Sequence, residues 1–360
     1  MPPNRKARVT TRYVLAELDD PRDALHHAVQ TLVEGGVASL PLENGPVGCV
    51  LATSLELDDA LVPNAVLLVG SIDAAADWLP DLSTLQARLV TRSWPGAVAF
   101  RVPESEWTLA PALPQAVRRQ VCNASGLAIR VPRSDVVEDV LALLPAPLIA
   151  AEQGEWTERA AVELVDAVPA SVTPATEVRL SGAGYEILTE GTVSLRELER
   201  NAGMEVVFVC TGNTCRSPMA EAIFVDLAAR ELDVSPGELA GRGVRARSMG
   251  LAAADGMPAS GDAVDVALRH GLDLSGHLST PATLEALSRA DAVFTMTQGH
   301  RAAILSQAPE LAATTQTLIP DGRDISDPIG MGPREYAACF DEIAAAITQR
   351  LPNLLDEVTA

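Results

Sequence analysis

Cys210 and Arg216 stand six positions apart in Cys210-Thr211-Gly212-Asn213-Thr214-Cys215-Arg216-Ser217. That spacing suits phosphoryl transfer. A thiolate is a nucleophile for covalent catalysis. A planar guanidinium grips two oxygens of a phosphate dianion, which an ammonium does less well. Gly212 and Asn213 are the residue types that tolerate the positive φ such a curl needs. Backbone N–H groups curling into a helix N-terminus make a concave anion site. Thr211, Gly212, Asn213, Thr214, Cys215 and Ser217 are therefore the expected substrate-binding residues. The same N–H groups favour a thiolate at Cys210, and the Ser217 hydroxyl can donate to it.

Two elements must hold this loop. The apolar run Val206-Val207-Phe208-Val209 predicts a strand before it. Pro218-Met219-Ala220-Glu221-Ala222-Ile223-Phe224 predicts a helix after it, with Pro218 in the first turn, where a missing N–H costs nothing.

Beyond the loop, the C-terminal part resembles the low-molecular-weight protein tyrosine phosphatase family over about residues 204–355. The resemblance extends to Ser248-Met249-Gly250 and Pro258-Ala259-Ser260. It continues in His270-Gly271-Leu272-Asp273-Leu274-Ser275-Gly276-His277, and in Asp291-Ala292-Val293-Phe294-Thr295-Met296-Thr297 with His300. It ends in Asp324-Ile325-Ser326-Asp327-Pro328. It implies that Asp327 protonates the leaving group and later deprotonates water, with Asp324 as the fallback acid. Pro328 restricts Asp327 to extended backbone, which suits an acid on a loop. With Cys210 as nucleophile and Arg216 as phosphate clamp, Asp327 completes the expected catalytic set.

The resemblance also speaks to the substrate. Arginine-directed members carry Thr at the fifth loop position, here Thr214. Tyrosine-directed members often place an aromatic residue after the Asp-Pro pair, where this chain has Ile329, and Leu251-Ala252-Ala253-Ala254 offers no aromatic wall either. Ring stacking worth about 0.5–1.5 kcal/mol is thus forgone, and phosphoarginine is favoured over phosphotyrosine. Cys215 has two readings. The resemblance implies a reversible disulfide with Cys210, and the alternative is a small apolar side chain packed under the loop. Arsenate reductases share the loop but need further cysteines, and residues 278–338 contain none.

Composition bounds the rest. A chain of 360 residues with 48% hydrophobic content suggests two domains. Five cysteines, two of them in the loop, suit a reducing compartment. No apolar stretch follows Arg5 and Lys6, so no signal peptide is expected. The longest apolar run, residues 140–151, is too short to cross a bilayer. A cytoplasmic location is expected. A net charge of −21, acidic in both halves, disfavours nucleic acid. No metal or cofactor is implied, the expected partner is a phosphorylated protein, and the oligomeric state is left open.

The first two hundred residues alternate apolar runs and amphipathic segments, an α/β or α+β pattern. Residues 23–33 predict a helix ending at Gly35-Gly36, and strands are expected at 37–41, 65–69 and 126–132. Residues 14–200 resemble the YrdC/Sua5 family of threonylcarbamoyl-AMP synthases. The landmarks are Glu34-Gly35-Gly36-Val37-Ala38-Ser39-Leu40-Pro41, Trp94-Pro95-Gly96, Gly126-Leu127-Ala128-Ile129-Arg130-Val131-Pro132 and Thr189-Glu190-Gly191-Thr192-Val193-Ser194-Leu195. The family's functional motifs are missing. Pro41-Leu42-Glu43-Asn44-Gly45-Pro46 replaces its threonine-rich segment, residues 61–70 carry no basic residue, and Ile149-Ala150-Ala151-Glu152-Gln153 replaces its hydroxyl-rich loop. Polyphosphate binding without cations or hydroxyls is poor, so a domain without synthase chemistry is expected. A linker is expected over residues 196–204.

The fold expected is α/β throughout, a YrdC-like twisted α/β domain (14–200) followed by a four-stranded parallel, Rossmann-like phosphatase domain (204–355). The function expected is a protein phosphatase working through a phosphocysteine. A tRNA-modification synthase with an accessory phosphatase domain and an arsenate reductase are the alternatives. A third reading makes the first domain a module that docks the phosphatase on its target.

Overall fold

A computed structural model describes residues 10–56, 61–62, 64–106, 113–151, 155–166 and 173–359. The basic N-terminus and the Glu152-Gln153 pair lie outside the described residues. The chain divides into two compact units, Met1–Ala202 and Gly203–Ala360.

The first unit is built on one mixed sheet of eleven strands among the described residues. Its central strands are apolar on both faces. Leu67, Leu127, Ile129 and Ile149 point into one core layer, and Val66, Leu68, Ala128, Leu148 and Ala150 into the other. Helix Thr84–Ser93 covers the first layer with Leu89 and Val90, and helix Arg22–Val33 covers the second with Ala24, Leu25, Ala28 and Leu32. This last helix stops where Gly35 takes φ +81°, a conformation that a side chain would strain. The strands Ala38–Leu42, Val66–Leu68 and Gly126–Arg130 fall where the apolar runs lie.

One expectation is overturned. The stretch read as a linker is a helix, Leu195–Ala202, that belongs to the first unit. Leu195, Leu198 and Ala202 recur at helical spacing among its charges, and Leu198 is fully buried in the first core layer. Asn201 donates through Nδ2 to Ser93 Oγ at 3.1 Å and anchors the helix against Thr84–Ser93. Arg196, Glu197, Glu199 and Arg200 form this helix's exposed outer face.

The second unit is a parallel sheet of four strands: β1 (Met204–Cys210), β2 (Val244–Gly250), β3 (Ala292–Thr295) and β4 (Thr315–Thr317), in the order β2-β1-β3-β4. Five helices accompany them: α1 (Arg216–Glu231), α2 (Gly261–Arg269), α3 (Leu284–Ser288), α4 (Gln298–Gln307) and α5 (Pro333–Thr359). β1 is central and buried on both sides, which is why it reads as a continuous apolar run. Met204, Val206, Phe208 and Cys210 face one core, shared with α1 and α5, while Val207 and Val209 face another with Leu287 and Ile304. The chain leaves β1 toward β2 on one side and returns to β3 on the other. A ligand crevice forms at the carboxyl end of strands where the order reverses, and Cys210 is the last residue of β1. None of the described helices is long and apolar enough to cross a membrane.

Replacing Leu198 with Ala should destabilise the first unit by about 2–5 kcal/mol. A lowered urea midpoint for that unit's unfolding is expected, and an unchanged midpoint would return this stretch to the status of a linker.

Candidate active site

The loop between β1 and α1 curls because one residue takes a left-handed conformation. That residue is Asn213, at φ +56°. Of the two candidates, Gly212 does not take it. Asn213 can hold the conformation alone because its side chain is tied on both ends. Nδ2 donates to Ser217 Oγ at 2.9 Å, and Oδ1 accepts from Thr280 N–H at 2.7 Å. Its carbonyl accepts from His277 Nε2 at 2.7 Å, which places that ring's proton on Nε2. The curl also needs room. A Cβ on Gly250, at the end of β2, would lie 2.7 Å from Thr211 O and 2.8 Å from Asn213 N. Leu251 and Ala252 then clamp the loop from the same side, donating to Cys210 O and Thr211 O.

Cys210 sits buried at the floor of the curl. Its sulfur accepts the Asn213 N–H at 3.2 Å and lies 3.0 Å from Ser217 Oγ. Ser217 has one hydrogen and two acceptors within reach, Cys210 Sγ and Met249 O, the latter at 3.3 Å. Asn213 already fills one of its lone pairs. When the sulfur is a thiolate, the hydroxyl can turn to it without losing the Asn213 contact.

Arg216 opens α1 and is 4% exposed. Nη1 donates to Ile325 O at 3.0 Å, and Nη2 meets Asp327 Oδ2 at 2.5 Å. Its Nε is buried with no hydrogen-bond partner. The fold thus brings Asp327 against Arg216 across 111 positions of sequence. Asp327 remains exposed, and its other oxygen accepts from Ile329 N–H at 3.3 Å. Asp324 is turned elsewhere, since its Oδ1 accepts from Gln298 N–H at the start of α4, at 2.7 Å.

Thr211 is exposed and Thr214 half-buried, while Asn213, Cys215 and Ser217 turn their side chains inward. Cys215 faces away from the crevice, with Sγ 3.1 Å from Tyr336 OH. Tyr336 also accepts from Ser260 Oγ at 3.0 Å. Burial, reinforced by the Cys215 contact, pushes the Tyr336 hydroxyl up to about 12, so it stays protonated and can donate to the sulfur. Cys210 and Cys215 are both free thiols. His277, Thr280, Ser260, Tyr336 and His300 are supports of the loop to which sequence reasoning assigned no role. His277, Ser260 and His300 lay within the segments of family resemblance, which was the one available signal. Tyr336 is 121 positions from the thiol it touches, and no local spacing points to it.

In the first unit, Arg130 is fully buried and wholly engaged. Nε donates to Gly96 O at 3.1 Å, Nη2 donates to Asn44 Oδ1 at 2.7 Å, and the Glu43 carboxylate pairs with it at 3.1 Å. Arg133 N–H holds the other oxygen of Glu43 at 3.3 Å. Among the described residues, no cluster of His, Cys, Asp or Glu is arranged to hold a metal.

A thiol above a helix N-terminus, a buried arginine in the first turn and a carboxylate on a facing loop make a site shaped to hold an anion. The sequence profile of the low molecular weight phosphotyrosine protein phosphatases matches residues 205–360. A protein-arginine-phosphatase of Bacillus subtilis is 36% identical over 155 residues, spanning 42% of this chain and 97% of that protein. A probable low molecular weight protein-tyrosine-phosphatase, EpsP, of Ralstonia nicotianae is 34% identical over 159 residues, spanning 43% and 96%. The crystal structure of a low molecular weight protein tyrosine phosphatase from T. tengcongensis shares 35% identity, covers 42% of this chain and 99% of its own, and superposes with a TM-score of 0.38. The chain belongs to the low molecular weight phosphotyrosine protein phosphatase family.

The Gly250 contact can be tested directly. In Gly250→Ala the new methyl must displace the loop backbone. Phosphate and vanadate binding should fall at least about tenfold, a loss near 1.4 kcal/mol, while the far-ultraviolet circular dichroism is kept. Unchanged oxyanion affinity would show that the loop does not depend on this approach.

Proposed function

We propose that the second unit is a protein phosphatase that hydrolyses phosphoarginine through a phosphocysteine on Cys210. The observation that carries this reading is the Arg216 side chain, buried in the first turn of α1 with an unpartnered Nε and an acid on its Nη2. A dianion over the loop would take the open donor face of this guanidinium and the loop N–H groups. The Cys210 thiolate then attacks phosphorus. The S–P bond forms as the P–N bond of phosphoarginine, or the P–O bond of a phosphate ester, breaks. The leaving atom takes the Asp327 proton. Water next attacks the phosphocysteine, Asp327 takes a proton from it, and inorganic phosphate leaves with the thiolate restored.

With the site empty, the Asp327 carboxylate has the Arg216 guanidinium as its cation, and a bound phosphate dianion competes for that cation. Asp324, held on the N-terminus of α4, is less suited to the task.

Phosphoarginine is favoured over phosphotyrosine by Thr214 and by two relatives named protein-arginine-phosphatase. It is further supported by the aliphatic Ile329, 64% exposed, at the position after Pro328. The working compartment in this reading is the cytoplasm, where Cys210 stays reduced. The substrate is a phosphorylated protein.

For the first unit we propose a YrdC-like domain that has lost the synthase chemistry. The Glu43 carboxylate and the Asn44 amide occupy Arg130, so the cation that a nucleotide would need is already neutralised from within. The Glu152-Gln153 part of this comparison lies outside the described residues.

Side-by-side hydrolysis of phosphoarginine and phosphotyrosine peptides by the full chain tests the substrate. A higher kcat/KM on phosphoarginine is expected, and no turnover by Cys210→Ser. Thr214→Ile should move the ratio at least about tenfold toward phosphotyrosine, about 1.4 kcal/mol. A ratio that stays put would sink the substrate assignment. Asp327→Asn should slow turnover by about 10²–10⁴ and tighten inhibition by inorganic phosphate, because a competitor for Arg216 is gone. Undiminished turnover would move the acid elsewhere.

A further inference from the structure

The first turn of α4 touches both loops of the site. His300 Nε2 lies 2.9 Å from Thr211 Oγ1, in the nucleophile loop. Two residues earlier, Gln298 N–H donates to Asp324 Oδ1 at 2.7 Å and its side-chain amide donates to Gly322 O at 2.8 Å, both on the approach to the acid loop. Ile325 N–H, in the same loop, donates to Met296 O at 2.8 Å, and Ile325 O receives Arg216. Thr297 caps the turn through its Oγ1, which accepts His300 N–H at 3.1 Å. One helical turn therefore carries the nucleophile loop on one side chain and the acid loop on its leading residues.

His300 is an expensive residue for a place that only needs filling. Its Nδ1 is shut off from water and has no polar partner. A buried polar atom left unpaired costs about 1–3 kcal/mol, which an apolar ring would avoid. Burial, and then the positive charge of Arg216, lower the ring's proton affinity against the opposing pull of Asp327 and Asp324. The ring is thus held neutral, with its side chain's polar contact directed to Thr211.

We infer that His300 is a positioning residue for the phosphatase reaction. With Thr211 it closes a clasp, built on the first turn of α4, that sets the nucleophile loop relative to the acid loop. This inference rests on the proposed function and deepens it. Sulfur and the leaving atom must lie on opposite sides of phosphorus, with the acid's proton on the leaving atom. A displacement of about 1 Å in such a geometry can cost about 10²-fold. With the clasp open, Cys210 still attacks, but the proton arrives out of place, so leaving groups that need it suffer most.

The test uses the full chain and two aryl esters, p-nitrophenyl phosphate with a good leaving group and phenyl phosphate with a poor one. The readout is kcat/KM, which covers every step up to departure of the leaving group. His300→Phe keeps a ring and loses the contact. It should lower kcat/KM on phenyl phosphate at least about tenfold more than on p-nitrophenyl phosphate. Thr211→Val should reproduce that selectivity, and the double variant should be no worse than either single one, because both remove one contact. Should His300→Phe not fold, Thr211→Val carries the same expectation alone. Equal losses on both esters, or losses that multiply in the double variant, would overturn the clasp. A wild-type chain inert toward both esters and toward phosphoarginine peptides would instead remove the phosphatase reading, and the clasp with it.

Discussion

The strand β1 ends at Cys210 and the helix α1 begins at Arg216, and the residues between must reverse direction while keeping their N–H groups turned inward. An L-residue that enters the left-handed region does so at a cost. Asn213 meets that cost with three outward ties: to Ser217, to Thr280 and, through its carbonyl, to His277. The glycine that matters most for the curl is not in the loop. It is Gly250 on the neighbouring strand, where any side chain would strike Thr211 and Asn213. Once the curl holds, the Asn213 N–H reaches the Cys210 sulfur and Ser217 comes within 3.0 Å of it. The thiol's polar neighbours and the reach of Arg216 both depend on this reversal.

The first unit buries Arg88, Arg101 and Arg130 and the second buries Arg216, and Arg130 and Arg216 are held differently. Arg130 has a carboxylate, a side-chain amide and a backbone carbonyl around it. A guanidinium so enclosed stabilises its own surroundings and has little left to offer a ligand. Arg216 has a backbone carbonyl and the exposed Asp327, and keeps an Nε with no partner. Removing a cation from water while leaving part of its hydrogen-bonding capacity unmet is destabilising. A bound ligand would complete it, and this difference between Arg130 and Arg216 underlies the proposed assignment of chemistry to the second unit.

Behind the loop lies a supporting network. Tyr336, on the last helix, links Cys215 to Ser260 at the start of α2, and Ser260 N–H in turn holds Thr214 O at 2.8 Å. The loop is therefore fixed from beneath by α5 and α2, and from the side by the residues after β2. Thr214, the residue proposed to select the substrate, stands on a backbone that neighbouring elements hold from both directions.

Local pattern alone determined much of this protein. The apolar run before Cys210 specifies a strand buried on both faces. The sequence 210–217 specifies a strand, loop and helix with a thiol and a guanidinium, because those properties follow from residue type and short-range backbone preference. The same logic failed at residues 196–204, expected to be a linker and found mostly in the helix Leu195–Ala202. Only the tertiary structure decided which of Asp324 and Asp327 meets Arg216, which face of the loop Cys215 occupies, and that His277, His300 and Tyr336 hold the loop in place. Those contacts join residues 64 to 121 positions apart, and a pairing at such separations is set by how strands and helices pack rather than by any spacing along the chain.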